Sequence, residues 1–120
     1  MILIEYPKCS TCKKAKQYLE DNSLTFTDRN IVTNTPTKEE LKEWVVKFSF
    51  PLDKLYNTSG IKYRELNLKE KRKTMTDEEQ LELLSSDGML LKRPILITEQ
   101  NMVTGFKVLE WDKIIKEEIK

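Results

Sequence analysis

The chain has 120 residues, 38% of them hydrophobic and 34% charged, with only 3 Gly and 4 Pro, a make-up that excludes disordered, collagen-like and low-complexity classes and predicts one folded domain. Its 21 Lys and Arg stand against 20 Asp and Glu for a formal charge of +1, so no global field selects nucleic acid or a membrane surface. No apolar run approaches the ~20 residues a membrane span needs, and the start enters an apolar strand without a signal-peptide layout, so a cytoplasmic setting is expected.

Ile2-Leu3-Ile4 predicts a strand over residues 1–6. It gives way to Cys9-Ser10-Thr11-Cys12 and then to Lys13-Lys14-Ala15-Lys16, whose spacing predicts a helix over residues 11–21. With that helix beginning near Ser10, Cys12, Ala15 and Leu19 share its inward stripe, while Cys9 precedes the first turn and faces outward. Residues 24–30 predict a second strand, giving a βαβ unit with parallel strands. The CxxC then lies at the carboxyl end of the first strand, where open α/β sheets place their sites.

Thr37-Lys38-Glu39-Glu40 is a capping-box pattern for a helix through about Phe48, with Leu41, Trp44, Val45 and Phe48 on one core face. Residues 51–56 predict a short helix, Asn57-Thr58-Ser59-Gly60 a turn, and residues 61–68 a further helical stretch. The run Lys69-Glu70-Lys71-Arg72-Lys73 reads as a solvated basic helix end. Thr76-Asp77-Glu78-Glu79 is a second capping box, opening a helix over Leu81, Leu83 and Leu84. Ile95-Leu96-Ile97-Thr98 and Met102-Val103-Thr104 predict a hairpin about Glu99-Gln100-Asn101, and a last helix from about Leu109 carries Trp111, Ile114 and Ile115 to the core. The expected architecture is a single α/β domain over residues 1–120, a mixed sheet with a helical insertion over about 37–90.

The CxxC carries the chemistry. N–H groups at a helix start lack intrahelical partners and bear the positive end of the macrodipole, so a thiolate placed there is stabilised. Lys8, Lys13 and Lys14 add positive charge, and lowering the thiol pKa by one favours the thiolate by about 1.4 kcal/mol. Cys9 is the expected attacker and Cys12 the expected resolver. Structural zinc needs about four Cys or His ligands, and the chain has 2 Cys and no His, so no metal is expected. A structural disulfide here would close a very short loop and remove little chain entropy. A thiol redox pair is the reading these residues favour, with no bound cofactor.

Pro94 opens the strand that begins at Ile95, where a missing N–H is tolerated. A proline there, in a chain whose first strand ends in CxxC, resembles the thioredoxin fold with its cis-proline loop beside the active cysteine. Arg93, always charged and presenting a fork of donors, could hold Cys9 as thiolate and orient an oxyanion or a sulfenate. Tyr6-Pro7-Lys8-Cys9-Ser10-Thr11-Cys12-Lys13-Lys14-Ala15, Asp28-Arg29-Asn30-Ile31, Leu91-Lys92-Arg93-Pro94-Ile95-Leu96 and Gly105-Phe106-Lys107 together resemble the arsenate reductase (ArsC)/Spx family over nearly the whole chain.

The resemblance implies a thioredoxin-like fold, Cys9 as nucleophile, Arg93 close to it and Pro94 cis. Lys8, Ser10 and Lys107 are candidates for anion binding. It implies an external reductant such as glutaredoxin with glutathione, or thioredoxin, and partners among thiol redox proteins and low-molecular-weight thiols. Spx-type regulators use the pair as a redox switch and bind the carboxyl-terminal domain of the RNA polymerase α subunit through a segment that contains a glycine; here it reads Lys47-Phe48-Ser49-Phe50-Pro51-Leu52. Glutaredoxin-coupled arsenate reductases surround a single cysteine with several arginines, and alignment on Tyr63 puts Asn57 where one of these falls. The expectation is a thiol-disulfide redox protein, with a polymerase-binding regulator and an arsenate reductase as alternatives.

Overall fold

Four short strands form one sheet. A computed structural model, describing residues 1–118, has β1 (Ile2–Glu5), β2 (Thr27–Asn30), β3 (Ile95–Ile97) and β4 (Met102–Thr104) in the order β2-β1-β3-β4. β1 runs parallel to β2, with Leu3 opposite Asp28 and Glu5 opposite Asn30, and antiparallel to β3, with Ile4 opposite Ile95. β3 and β4 make the expected hairpin, Leu96 opposite Val103. Its turn is closed by Thr98, whose N–H donates to the Asn101 carbonyl at 2.8 Å and whose hydroxyl accepts the Asn101 N–H at 2.9 Å.

The helices of the described residues are α1 (Ser10–Asp21), α2 (Lys38–Phe48), α3 (Ile61–Glu65), α4 (Leu68–Lys71), α5 (Asp77–Ser86) and α6 (Val108–Glu118), with 3-10 turns at Leu52–Leu55, Arg72–Thr74 and Gly88–Leu90. The chain divides into two compact units, one of Met1–Asn30 with the stretch from Arg93 onward, the other Ile31–Lys92.

In the first unit, Leu3, Leu96 and Val103 of the sheet pack with Ala15 and Leu19 of α1 and with Trp111, Ile114 and Ile115 of α6. Burying each large side chain contributes roughly 1.5–3 kcal/mol. The Trp111 indole N–H donates to the Gly105 carbonyl at 3.1 Å, and the Phe106 ring meets it edge-on at 4.8 Å. Gly105 has φ 78°, a left-handed conformation that favours glycine, and its N–H donates to the Pro94 carbonyl at 2.8 Å. That bond fixes the loop bearing Arg93 and Pro94 against the exit of β4.

β2 starts at Thr27, three residues later than the sequence pattern suggests. Ser23 turns the chain at φ 56° and the Leu24 N–H returns to the Leu19 carbonyl at 3.1 Å, closing the end of α1. Leu24 and Phe26 therefore pack against the core from a loop, so their apolar character reflects packing without strand pairing.

In the second unit, Thr37 and Thr76 each complete a capping box, with Glu40 at the start of α2 and with Glu79 at the start of α5. Leu41, Trp44, Leu81 and Leu84 are buried. The helical stretch expected over residues 61–68 breaks into α3 and α4 because Asn67 adopts φ 50°. Arg72 corrects the reading of the basic run as wholly solvated: its Nη1 donates to the Tyr63 hydroxyl at 3.2 Å, its Nε to Gln80 Oε1 at 3.3 Å, and its guanidinium lies 4.1 Å from the centre of the Tyr56 ring. The flanking Lys69, Lys71 and Lys73 are exposed.

Candidate functional site

The site is built where β1 hands over to α1. The Cys9 N–H donates to the Tyr6 carbonyl at 2.9 Å, a turn that lifts the chain off the strand, and the Cys9 carbonyl accepts the Lys13 N–H at 3.1 Å, the first bond of α1. Cys9 is thus the N-cap residue, extended at φ −90° and ψ 122°, with its sulfur at the positive end of the helix. Cys12 sits one turn on, fully buried with Ala15 and Leu19, on the stripe that the helical period predicts. Both cysteines are free thiols, Cys9 half-buried.

Their electrostatics diverge. For Cys9 the largest single effect is burial, which opposes ionisation; the Cys12 N–H, the Cys12 thiol, Arg93 and the Thr11 N–H together outweigh it and hold the thiol below its ordinary range. Burial pushes the Cys12 thiol up to about 12, helped by the neighbouring charges of Cys9 and Glu5 and opposed by the Tyr6 N–H, which donates to its sulfur at 3.5 Å.

Arg93 comes from the loop before β3. Its peptide bond to Pro94 is cis, and Pro94 is buried. The guanidinium lies over the Tyr6 ring, 5.2 Å from its centre, and is among the groups that stabilise the Cys9 thiolate. Its Nε and Nη1 are buried without a hydrogen-bond acceptor. Two desolvated, cationic N–H groups are costly unless an anion meets them, so their position beside the cysteine favours an anionic sulfur or oxygen there.

Cys9, Cys12 and Arg93 are therefore brought together. Lys8, Ser10, Lys13 and Lys14 are exposed, and the donors that lower Cys9 come from Cys12, Arg93 and Thr11. Lys107 is exposed as well; its carbonyl accepts the Trp111 N–H at 3.0 Å, which places it at the cap immediately before α6.

Two neighbours escaped the motif-based reading. Tyr6 supplies the N–H on Cys12 and the ring under Arg93. Glu5 is only 5% exposed, and its carboxyl is raised to about 7 by burial, then by a hydrogen bond and charge from Asp28, against the opposing charge of Lys16. The available signal was a carboxylate ending an apolar strand, in step with the inward-facing Leu3.

Among the described residues no cluster of three or more His, Cys, Asp or Glu could hold a metal ion, and no helix is long and apolar enough to cross a membrane. A family model described as the ArsC family matches residues 4–114. The chain belongs to the ArsC family. The YusI protein of Bacillus subtilis (strain 168) is 52% identical over 102 residues, covering 85% of this chain and 86% of YusI. The regulatory protein MgsR of the same organism is 35% identical over 112 residues, covering 93% and 87%. A crystal structure of an ArsC-family-related protein from Bacteroides fragilis superposes with a TM-score of 0.88 at 48% identity, covering 94% of this chain and 95% of that one. The mixed four-stranded sheet and its helices are thus the thioredoxin-like fold of the ArsC family.

Proposed function

We propose that this ArsC-family chain is a cytoplasmic thiol-disulfide redox protein in which Cys9 is the nucleophile and Cys12 the resolving cysteine. The observation that carries this reading is the asymmetry of the pair. Cys9 is half-buried at the start of α1 and favoured as a thiolate, while Cys12, one turn later, is buried and held as a thiol. In the first step the Cys9 thiolate attacks a substrate disulfide R–S–S–R′, forming Cys9–S–S–R and releasing R′–S⁻. In the second, the Cys12 sulfur attacks Cys9 Sγ, the bond to R breaks, and R leaves as a thiol while Cys9 and Cys12 are oxidised to a disulfide. An external dithiol, or two glutathione molecules, then restores the pair. Arg93 supports the first step by favouring the thiolate, and no bound cofactor is required.

The test is thiol trapping with Cys12→Ala, in which mixed disulfides on Cys9 cannot be resolved. Mass spectrometry is expected to find captured thiols on Cys9 in the variant and a Cys9–Cys12 disulfide in the oxidised parent. A stable disulfide-linked dimer as the main oxidised product of the parent would overturn the reading.

A second reading, a redox-sensing regulator, is favoured by the 35% identity to the regulatory protein MgsR. There the same disulfide would control binding to the carboxyl-terminal domain of the RNA polymerase α subunit. Saturable, oxidation-dependent binding of the purified domain would establish it; turnover with glutathione or thioredoxin and no such binding would favour the redox protein.

A further inference from the structure

Successive side chains of a strand alternate between faces, so Leu3 and Glu5 of β1 project to one side of the sheet. Leu3 packs there against Ala15 and Leu19 of α1. Asp28, opposite Leu3 on the parallel strand β2, lies on that same side, and Lys16 of α1 reaches it at 2.7 Å. Cys12 stands one helical turn before Lys16, buried, its sulfur held by the N–H of Tyr6, the residue after Glu5. Glu5, Cys12, Asp28 and Lys16 are therefore gathered between the end of β1 and the first turns of α1. The other neighbour of β1, β3, brings Ile95, Leu96 and Ile97, none of them titratable.

We propose that Glu5 accepts the proton of the Cys12 thiol as Cys12 closes the disulfide with Cys9, with Asp28 and Lys16 setting the charge of the receiving carboxyl. This rests on the reading of Cys12 as the resolving thiol. A thiol at about 12 is ionised in only about one molecule in 10⁵ at neutral pH, so spontaneous loss of its proton to water is a poor route to attack. Once Cys9 is tied up in a mixed disulfide its charge is gone, yet burial and the charge of Glu5 still hold Cys12 protonated. Glu5 supplies the alternative: a desolvated carboxylate that burial and the neighbouring Asp28 raise to about 7.

The step balances within the cluster. The Cys12 sulfur bonds to Cys9 Sγ as its proton passes to the Glu5 carboxylate. The Cys9–S–S–R bond breaks, and R–S⁻ leaves with the electron pair to be protonated by solvent. Cys9 and Cys12 are oxidised, R is reduced, and the cluster keeps one negative charge fewer than it would if Cys12 ionised beside a charged Glu5. When the disulfide is later reduced, Glu5 returns the proton to Cys12.

The full chain reacted with 5,5′-dithiobis(2-nitrobenzoate) releases one thionitrobenzoate when Cys9 is modified and a second when Cys12 displaces the adduct, two phases that stopped-flow absorbance separates. The second phase of the parent is expected to quicken with rising pH, with a midpoint near 7 where Glu5 ionises. Glu5→Gln should slow that phase about tenfold or more above neutral pH and abolish the midpoint. Asp28→Asn, which removes the group that raises Glu5 by hydrogen bond and charge, should move the midpoint down. A Glu5→Gln second phase with the parent's rate and pH profile would overturn the assignment while leaving the thiol pair intact. Absence of any second release in the parent would overturn the thiol pair and this inference with it. If circular dichroism shows Glu5→Gln unfolded, the Asp28→Asn midpoint decides: movement downward supports the assignment and an unmoved midpoint overturns it.

Discussion

The Tyr6 N–H donates to the Cys12 sulfur at 3.5 Å, while the Tyr6 ring lies under the guanidinium of Arg93. A single residue at the end of β1 thus contacts both the buried thiol and the cation beside the half-buried one. The thiols accordingly differ in access and in charge, and their reactivity should separate cleanly. Iodoacetamide applied below neutral pH is expected to modify Cys9 first, with Cys12 reacting only after denaturation or at strongly alkaline pH. Peptide mass spectrometry over a time course checks the order, and Cys12 modified before Cys9 would reverse the assigned roles.

Arg93→Ala should raise the Cys9 pKa, since it removes one of the groups that offset burial of the thiolate. Raising that pKa by one lowers the thiolate fraction about tenfold at pH values below the pKa, and the alkylation rate follows. The melting temperature should change little, because the substitution also removes Nε and Nη1 groups that are buried without acceptors. An unchanged alkylation profile would place Arg93 outside the chemistry.

Glu5 makes stability depend on pH in a direction opposite to an ordinary ion-paired carboxylate. Its folded carboxyl titrates near 7, against 4.5 when unfolded, so between these values the native state binds more protons and stability falls as pH rises. Below about 4.5 both states are protonated and above about 7 both are ionised, leaving the full penalty at neutral and higher pH. At about 1.4 kcal/mol for each tenfold change in acidity this amounts to roughly 3 kcal/mol. Glu5→Gln should therefore stabilise the protein above pH 7 and flatten its profile. Urea unfolding at several pH values measures the difference, and equal slopes in parent and variant would contradict it.

The positions of Cys9 and Cys12 were legible because one helical period decides both: Cys12 is in step with Ala15 and Leu19, and Cys9 falls one residue before the first turn. The capping boxes at Thr37 and Thr76 were equally plain, since each motif specifies both of its own hydrogen bonds. Arg72 was misread because charge patterning along the chain carries no information about Tyr56, Tyr63 and Gln80, which reach it from separate segments. Glu5 was overlooked for the same reason. Alternation with Leu3 marks the side of the sheet it faces, but its partner Asp28 depends on strand pairing across 23 residues of chain, a relation that the register of β1 and β2 establishes and local pattern does not.

Arsenate is expected to be a poor substrate. A tetrahedral oxyanion held in line with an attacking sulfur needs several convergent cationic donors, and losing one such contact costs about two orders of magnitude in rate. Arg93 is present with two unpartnered N–H groups, but Asn57 stands where the resemblance to glutaredoxin-coupled arsenate reductases implies a further arginine, and Lys107 is exposed. Little or no arsenate reduction coupled to glutaredoxin should be seen. Efficient turnover abolished by Cys9→Ser would contradict this and identify the protein as an arsenate reductase.

Gly88→Ala should be among the most destabilising single substitutions in the second unit. A Cβ built on Gly88 lies 2.0 Å from the Ile31 carbonyl oxygen and 2.8 Å from its carbonyl carbon, both backbone atoms that cannot swing aside as a side chain would. That oxygen also accepts the Thr35 hydroxyl at 2.8 Å, so retreat would break a hydrogen bond as well. Asp87, whose carboxylate accepts the Met89 N–H at 2.9 Å, fixes the turn from the other side and leaves Gly88 little freedom to shift. Overpacking of this kind costs about 1–3 kcal/mol and sometimes more, and a clash with backbone belongs at the upper end. Thermal unfolding should show a drop of several degrees, and a melting temperature equal to the parent's would mean that the chain at Ile31 yields more readily than its hydrogen bonding suggests.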